Sequence, residues 1–147
     1  MKFSPHVERP LAIASAASGR IIAAGGARDA EGVSTSQVHL LRWPKIAAIA
    51  SIDVGAAVHA LAFLDGDLLI AGTASGALVG IDASAEAPAI VFREDAHRGA
   101  VRGLAAAPLG RTLVSAGDEG TPRADALEVR EGRPSLARKE ERHPSDR

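Results

Sequence analysis

Short apolar segments alternate with turn residues along most of this chain. Segments such as LAIAS (11–15), HALAF (59–63) and LLIAG (68–72) are each followed by a turn that contains Gly, Asp or Ser. This spacing is too short for amphipathic helices and is typical of strands joined by hairpins. The alanine-rich segment 45–53 would suit a helix, but it lies where the pattern needs an outer strand, and we predict a strand there. The pattern predicts an all-β fold.

Three parts of the chain resemble one another. Residues 58–82 align with residues 101–121, and the alignment places Val58 on Val101 and Ala71 on Ala116, at offsets of 43 and 45 residues. Residues 11–26 form a weaker third copy. A period of about 40–45 residues, with four short strands in each period, is that of a β-propeller blade.

We therefore predict a partial β-propeller of about three four-stranded antiparallel blades, followed by a charged C-terminal tail. The blades are expected to span residues 11–53, 54–95 and 96–130. Strands are predicted near residues 11–15, 20–24, 37–42, 46–52, 58–63, 67–71, 78–82, 89–93, 101–105 and 112–116.

The chain changes character at Pro122. Proline cannot donate a ladder hydrogen bond, so it is disfavoured in the central third strand of a blade. Either that strand starts late, at 126–130, with 135–140 as the fourth strand, or the repeats end at Thr121 and a tail follows. Half of the residues from 122 to 147 are charged, a composition that stays disordered. We place the repeat region in 1–121 and a polar, disordered tail in 131–147, and residues 122–136 stay open between the two accounts.

The segment 97–121, HRGAVRGLAAAPLGRTLVSAGDEGT, resembles a WD40 repeat. The resemblance implies a β-propeller, typically of about seven blades, and a role as a scaffold that holds other proteins. The matching positions are His97, Gly99, Val101, Leu104, Pro108, Gly110, Leu113, Ser115, Gly117, Gly120 and Thr121.

The resemblance also implies a hydrogen-bond network that ties each blade together through His, Ser, Asp and Trp. His97 and Ser115 match the first two members, and Glu119 stands where Asp is expected. Asp125 falls at the position of the Trp, so the family's network is incomplete. We predict a structural network of His97, Ser115 and Glu119.

The composition narrows the possible functions. The 147 residues include 31 alanines and four aromatic residues, so the core must consist of small aliphatic side chains. The net charge of −1 gives no reason to expect nucleic acid or an acidic membrane as a partner. The absence of cysteine excludes disulfides and thiolate chemistry. No apolar run approaches the roughly 20 residues of a membrane span, and we expect a cytoplasmic protein.

No set of residues in the sequence indicates catalysis or metal binding. The histidines are dispersed without ligand spacing. Asp65 and Asp67 flank Gly66, which is typical of a hairpin turn. The Gly-rich stretches lack the residues of a phosphate-binding loop. We predict no catalytic residue, no metal and no cofactor, and we expect the single tryptophan, Trp43, to be packed.

We predict a non-catalytic scaffold that binds a protein partner. An enzymatic propeller, quinoprotein-like or lactonase-like, is the first alternative, and a truncated propeller without independent function is the second. Three blades leave open faces, so we also expect a homo-oligomer that completes the ring. By analogy, the protein-binding residues in the top-face loops are Arg28, Asp29, Thr73, Ser75, His97, Arg98, Asp118 and Glu119.

Overall fold

The structure, a computed structural model, describes residues 12–16, 18–25, 36–45, 47–107 and 110–139. Within these ranges the chain forms three four-stranded antiparallel sheets in which consecutive strands are neighbours. Blade one contains β1 (Ala12–Ser15), β2 (Ile21–Gly25), β3 (Gln37–Arg42) and β4 (Ala47–Asp53). Blade two contains β5 (Val58–Leu64), β6 (Leu68–Thr73), β7 (Ala77–Asp82) and β8 (Ala89–Asp95). Blade three contains β9 (Val101–Ala106), β10 (Thr112–Gly117), β11 (Arg123–Arg130) and β12 (Arg133–Arg138).

The blades stack through their first strands, since β1 packs on β5 and β5 packs on β9. This is the arrangement of neighbouring propeller blades. The predicted all-β fold with three four-stranded blades is confirmed. Residues 47–53 form the outer strand β4 and not a helix, because they complete the ladder beside β3.

Blade two is buried on both faces. In β6, Leu69 and Ala71 point into a core shared with blade one, whereas Leu68 and Ile70 point into a core shared with blade three. This alternation is the two-residue period of a strand. It explains why β6 is a continuous apolar run with no exposed position.

Glycine allows the blades to approach closely at two equivalent points. A Cβ on Gly25 would lie 3.3 Å from Cγ1 of Val58, and a Cβ on Gly72 would lie 2.5 Å from Cγ1 of Val101. In both cases the first residue of one blade packs against the end of the second strand of the preceding blade. The sequence repeat therefore corresponds to a repeated packing contact.

The end of the chain differs from the sequence expectation. β11 starts at Arg123, directly after Pro122, and β12 runs over Arg133–Arg138, where the sequence leaves residues up to 136 open between blade and tail and predicts a disordered tail beyond them. Pro122 precedes the strand, so its missing N–H breaks no ladder hydrogen bond. Pro134 is tolerated because β12 is the edge strand of its sheet. The blade-completing account is right for 123–138, and residues 140–147 of the predicted tail lie outside the described residues.

Candidate protein-binding surface

Three loops lie side by side at one end of blades two and three. They are the β6–β7 turn (74–76), the β8–β9 connection (96–100) and the β10–β11 loop (118–122), which we call the loop surface. The carbonyl of Gly76 accepts hydrogen bonds from the backbone N–H groups of Ala96 at 3.1 Å and His97 at 3.0 Å. The N–H of Asp118 donates to the carbonyl of Ala100 at 3.0 Å. Backbone bonds thus join the three loops into one unit.

The side chain of His97 lies beneath the loop surface and connects its loops to β10. Its side chain is buried, with Nε2 2.8 Å from Oγ of Ser115 and Nδ1 2.8 Å from Oε1 of Glu119. The second oxygen of Glu119 accepts the backbone N–H of Arg98 at 2.8 Å. These contacts link the β8–β9 connection to β10 and to the loop that follows it. They join the three residues for which the sequence predicts a structural network.

Glu119 favours its ionised form in this setting. The backbone N–H of Arg98, followed by the side chain of His97, lowers the pKa of Glu119 below its ordinary value against the opposing effect of partial burial. A carboxylate whose pKa is lowered on folding stabilises the fold above the unfolded-state pKa. That contribution disappears as the pH falls through the folded-state pKa.

We expect Glu119→Gln to weaken the acid sensitivity of the fold. The wild type should lose stability as the pH drops below about 4.3, the ordinary pKa of glutamate, and the variant should lose less over the same interval. Urea denaturation at a series of pH values measures this difference. Glu86→Gln, which changes an exposed carboxylate in the β7–β8 connection, is the control. Equal acid sensitivity in both variants would contradict the expectation.

A second, ionic cluster joins blade three to blade two. Asp125 is fully buried, and its carboxylate accepts hydrogen bonds from Arg123 Nε at 3.0 Å and Nη2 at 3.0 Å. Nη2 of Arg123 also contacts Oε1 of Glu94 at 2.6 Å, and Nη1 donates to the carbonyl of Ala96 at 3.4 Å. Burial alone would lower the pKa of Arg123, but the hydrogen bonds to Asp125 and Glu94 outweigh it and raise that pKa. The arginine therefore stays charged between the blades.

A cavity of about 450 Å³ opens between these two clusters. Its wall includes the buried Arg123 and the exposed side chains of Arg98 and Arg138, as well as the carboxylates of Asp95 and Glu119. The lining is therefore of mixed charge. Such a cavity suits a polar or charged segment of a partner better than an apolar ligand.

The structure separates the predicted binding residues into two groups. Ser75, Arg98, Asp118 and Glu119 are exposed on the loop surface. Thr73 is fully buried. Its hydroxyl donates to the carbonyl of Ala77 at 3.1 Å and lies 2.9 Å from Oγ of Ser75.

The other predicted binding residues are not exposed on this surface as the structure describes it. The side chains of Thr73 and His97 are buried beneath the loop surface. Arg28 and Asp29 lie outside the described residues.

Sequence reasoning missed Arg123 and Arg138, because they follow Pro122 in the segment left open as blade or tail. The alternation of Arg123, Asp125 and Leu127 on one face of a strand was the available signal. It was obscured because two of these three residues are charged and were expected to face solvent. Trp43, expected to be packed, is 47% exposed in the β3–β4 turn.

The described residues provide neither a candidate metal centre nor a membrane-spanning helix. No group of three or more His, Asp or Glu side chains lies together as a possible metal-binding set within the described ranges. The part of the chain that the structure describes contains no helix with the length and apolar character needed to cross a membrane.

Comparisons with known proteins identify a fold. No protein-family model matches the sequence. No curated protein matches it either. Among solved structures, a chain of the "Crystal Structure of Mitotic Checkpoint Complex" matches with a TM-score of 0.66 and 20% sequence identity, over 77% of this chain and 34% of that chain. The present chain therefore spans about a third of the length of the solved chain that it resembles. At this identity the similarity shows the β-propeller fold alone.

Proposed function

We propose that this chain is a non-catalytic, cytoplasmic protein-binding module of the WD40-like type, with the loop surface as its binding site. The observation that carries the proposal is the set of hydrogen bonds that join the three loops of this surface. Backbone hydrogen bonds and the buried His97 fix three loops in place, while Arg98, Asp118 and Glu119 remain exposed on them. A surface that is ordered before binding loses less conformational entropy when a partner binds.

The charges on the surface indicate the kind of partner. Arg98 and Arg138 are exposed, and Asp95 and Glu119 lie beside the same cavity. Both signs of charge are present, so an extended polypeptide with acidic and basic side chains is a better ligand than a polyanion. The ligand that we propose is therefore a protein segment and not nucleic acid.

The roles of the titratable groups support a binding function over an enzymatic one. Both ring nitrogens of His97 are used within the fold. Asp125 is held by Arg123 and lies beneath the surface. A general base must be within hydrogen-bond reach of its substrate, and these two groups are committed to structural contacts.

Peptide selection tests the binding site. Peptides selected from a phage-displayed random library on the immobilised chain should bind the loop surface. Arg98→Glu should weaken their affinity at least about tenfold. Arg20→Glu, the same charge reversal at an exposed position in the β1–β2 hairpin at the opposite end of the blades, should leave it unchanged. Titration calorimetry measures both. Equal effects of the two reversals, or no selected binder, would overturn the proposal.

We also propose that the module self-associates. The sheet face of blade three that points away from blade two exposes Val114 to 41%, and stacked blades bury such faces. This chain covers 34% of the matched solved chain, which supports the packing of further structure against these blades. The ring-completing oligomer expected from the sequence is one arrangement that would provide it.

A further inference from the structure

The face of blade three that points away from blade two carries small and mostly apolar side chains. Leu113, Leu127 and Leu136 point toward blade two, so the residues that alternate with them form the opposite face. Ladder pairing aligns these in two rows, one through Ala105, Val114 and Ala124 and the other through Thr112, Ala126 and Ala137. We call these six positions the outer face.

The corresponding face of blade two is built from larger side chains. Its equivalent row runs through Ile70, Gly80 and Phe92, and the ring of Phe92 lies against Gly80 and packs on the core between blades two and three. In blade three the row ends with Lys139, whose N–H donates to the carbonyl of Ala124 at 2.8 Å. A lysine thus takes the place of the phenylalanine.

Lys139 extends across the outer face. Its Nζ lies 3.0 Å from Oγ1 of Thr112 on β10, two strands away from its own backbone. The aliphatic part of the side chain must therefore cross β11, which leaves the ammonium group near the middle of the face. Glu128 follows Ala126 on the same side of β11, and among the described residues its ion pair is an exposed one with Arg130 at 3.4 Å.

We propose that the outer face binds the outer face of a second copy of this chain, with Lys139 of each copy paired to Glu128 of the other. A two-fold axis that crosses the strands between Ala126 and Glu128 places the row through Ala126 opposite Glu128 of the other copy and brings the opposite charges together. An isologous contact of this kind needs a self-complementary surface. The outer face carries both signs of charge and small side chains that let two sheets approach closely. The inference rests on the self-association proposed above and not on the loop surface.

One observation disfavours a further blade as the occupant. A fourth blade joined as in this chain would place a valine against Ala116, where the two existing joints have Gly25 and Gly72. The methyl group of Ala116 occupies the space that those glycines leave open.

The size of the face sets the expected affinity. Four strands about 4.8 Å apart and about five residues long give a plane of roughly 300–400 Å². A stable interface buries about 800 Å² on each partner. The dimer should therefore be weak, with a dissociation constant of roughly tens to hundreds of micromolar, and its charge pairs should make it sensitive to salt.

Sedimentation analysis of the full chain over a range of concentrations at low ionic strength tests the pairing. Lys139→Glu and Glu128→Lys should each weaken the dimer by about tenfold, because each places like charges opposite one another. The double variant reverses both charges and should restore the affinity to within about threefold. Val114→Glu should abolish association. Far-UV circular dichroism checks that each variant keeps its β-structure.

The control is Ile13→Glu, which changes an exposed apolar residue on blade one and should leave the dimer unchanged. A chain that stays monomeric at every concentration, or a double variant that is not rescued, overturns the pairing. If Ile13→Glu dissociates the oligomer as strongly as Val114→Glu, the contact is head to tail and the two-fold arrangement is wrong. None of these outcomes affects peptide binding at the loop surface, so the two proposals fail separately.

Discussion

Asp125→Ala should lower the free energy of unfolding by about 3–5 kcal/mol, the usual effect of removing one partner of a buried ion pair. The carboxylate is fully buried and accepts three hydrogen bonds from Arg123, at 3.0, 3.0 and 3.2 Å. Without it, a guanidinium that is 9% exposed keeps Glu94 as its one charged partner among the described residues. Since small domains are stable by about 5–15 kcal/mol, this single change should remove much of the stability.

The matched control is Asp118→Ala. Asp118 pairs with Arg102 at 2.7 Å, closer than any contact of Asp125, but both side chains are about half exposed. An ion pair that is screened by solvent contributes little to stability, so Asp118→Ala should cost far less than Asp125→Ala in urea denaturation. If the two variants lose the same stability, burial does not govern these pairs and the interpretation of the cluster is wrong.

A double variant separates the net contribution of the Arg123–Asp125 pair to stability from the cost of leaving one buried charge without its partner. Arg123→Met with Asp125→Leu replaces both charges by apolar side chains, and such replacements are often close to neutral. We expect the double variant to be more stable than Asp125→Ala alone. Glu94, which is 35% exposed, can then be hydrated. A double variant as unstable as the single one would mean that the ionic cluster is needed for the packing of β11 itself.

The ionic cluster of Arg123, Asp125 and Glu94 lies in the part of the fold that could not be predicted from the sequence. Strands β1 to β10 were predictable because each is a short apolar segment next to a turn, and that information is local. β11 and β12 could not be predicted in this way, because charged residues such as Arg123 and Asp125 are expected to face solvent. Their burial depends on Glu94, which lies 29 residues before Arg123 in the sequence. A single sequence does not reveal pairs of this kind.

The candidate site also has a part that the sequence predicts and a part that it does not. The His97, Ser115 and Glu119 network was predictable because these residues match an ordered pattern of the WD40 repeat. Exposure was harder to predict: Thr73 was placed on the surface, yet its hydroxyl closes the β6–β7 turn from inside. Ser75, two residues later, is exposed. Which of two neighbouring hydroxyls faces solvent depends on the backbone of the turn and not on residue type.

The second large loss of stability is expected for Gly76→Ala, in the same β6–β7 turn. Gly76 has φ of +89°, a conformation that costs a residue with a Cβ about 1–2 kcal/mol. A Cβ would in addition overlap the carbonyl oxygen of His97 and lie 2.8 Å from that of Gly99. Both are backbone atoms of the β8–β9 connection and cannot rotate away. We expect a loss of stability above about 4 kcal/mol, larger than most single substitutions produce.

Gly120→Ala tests whether the contact or the backbone conformation is responsible. Gly120 lies in the equivalent turn of blade three, with φ of +84°, and its N–H donates to the carbonyl of Gly117 as that of Gly76 donates to Thr73. Nothing lies within 4 Å of a Cβ at Gly120, so only the conformational cost of about 1–2 kcal/mol applies. Thermal and urea unfolding of both variants measure the difference. Equal losses would mean that the loops of blades two and three are not in contact, and the loop surface would then lack the rigidity on which its proposed binding role depends.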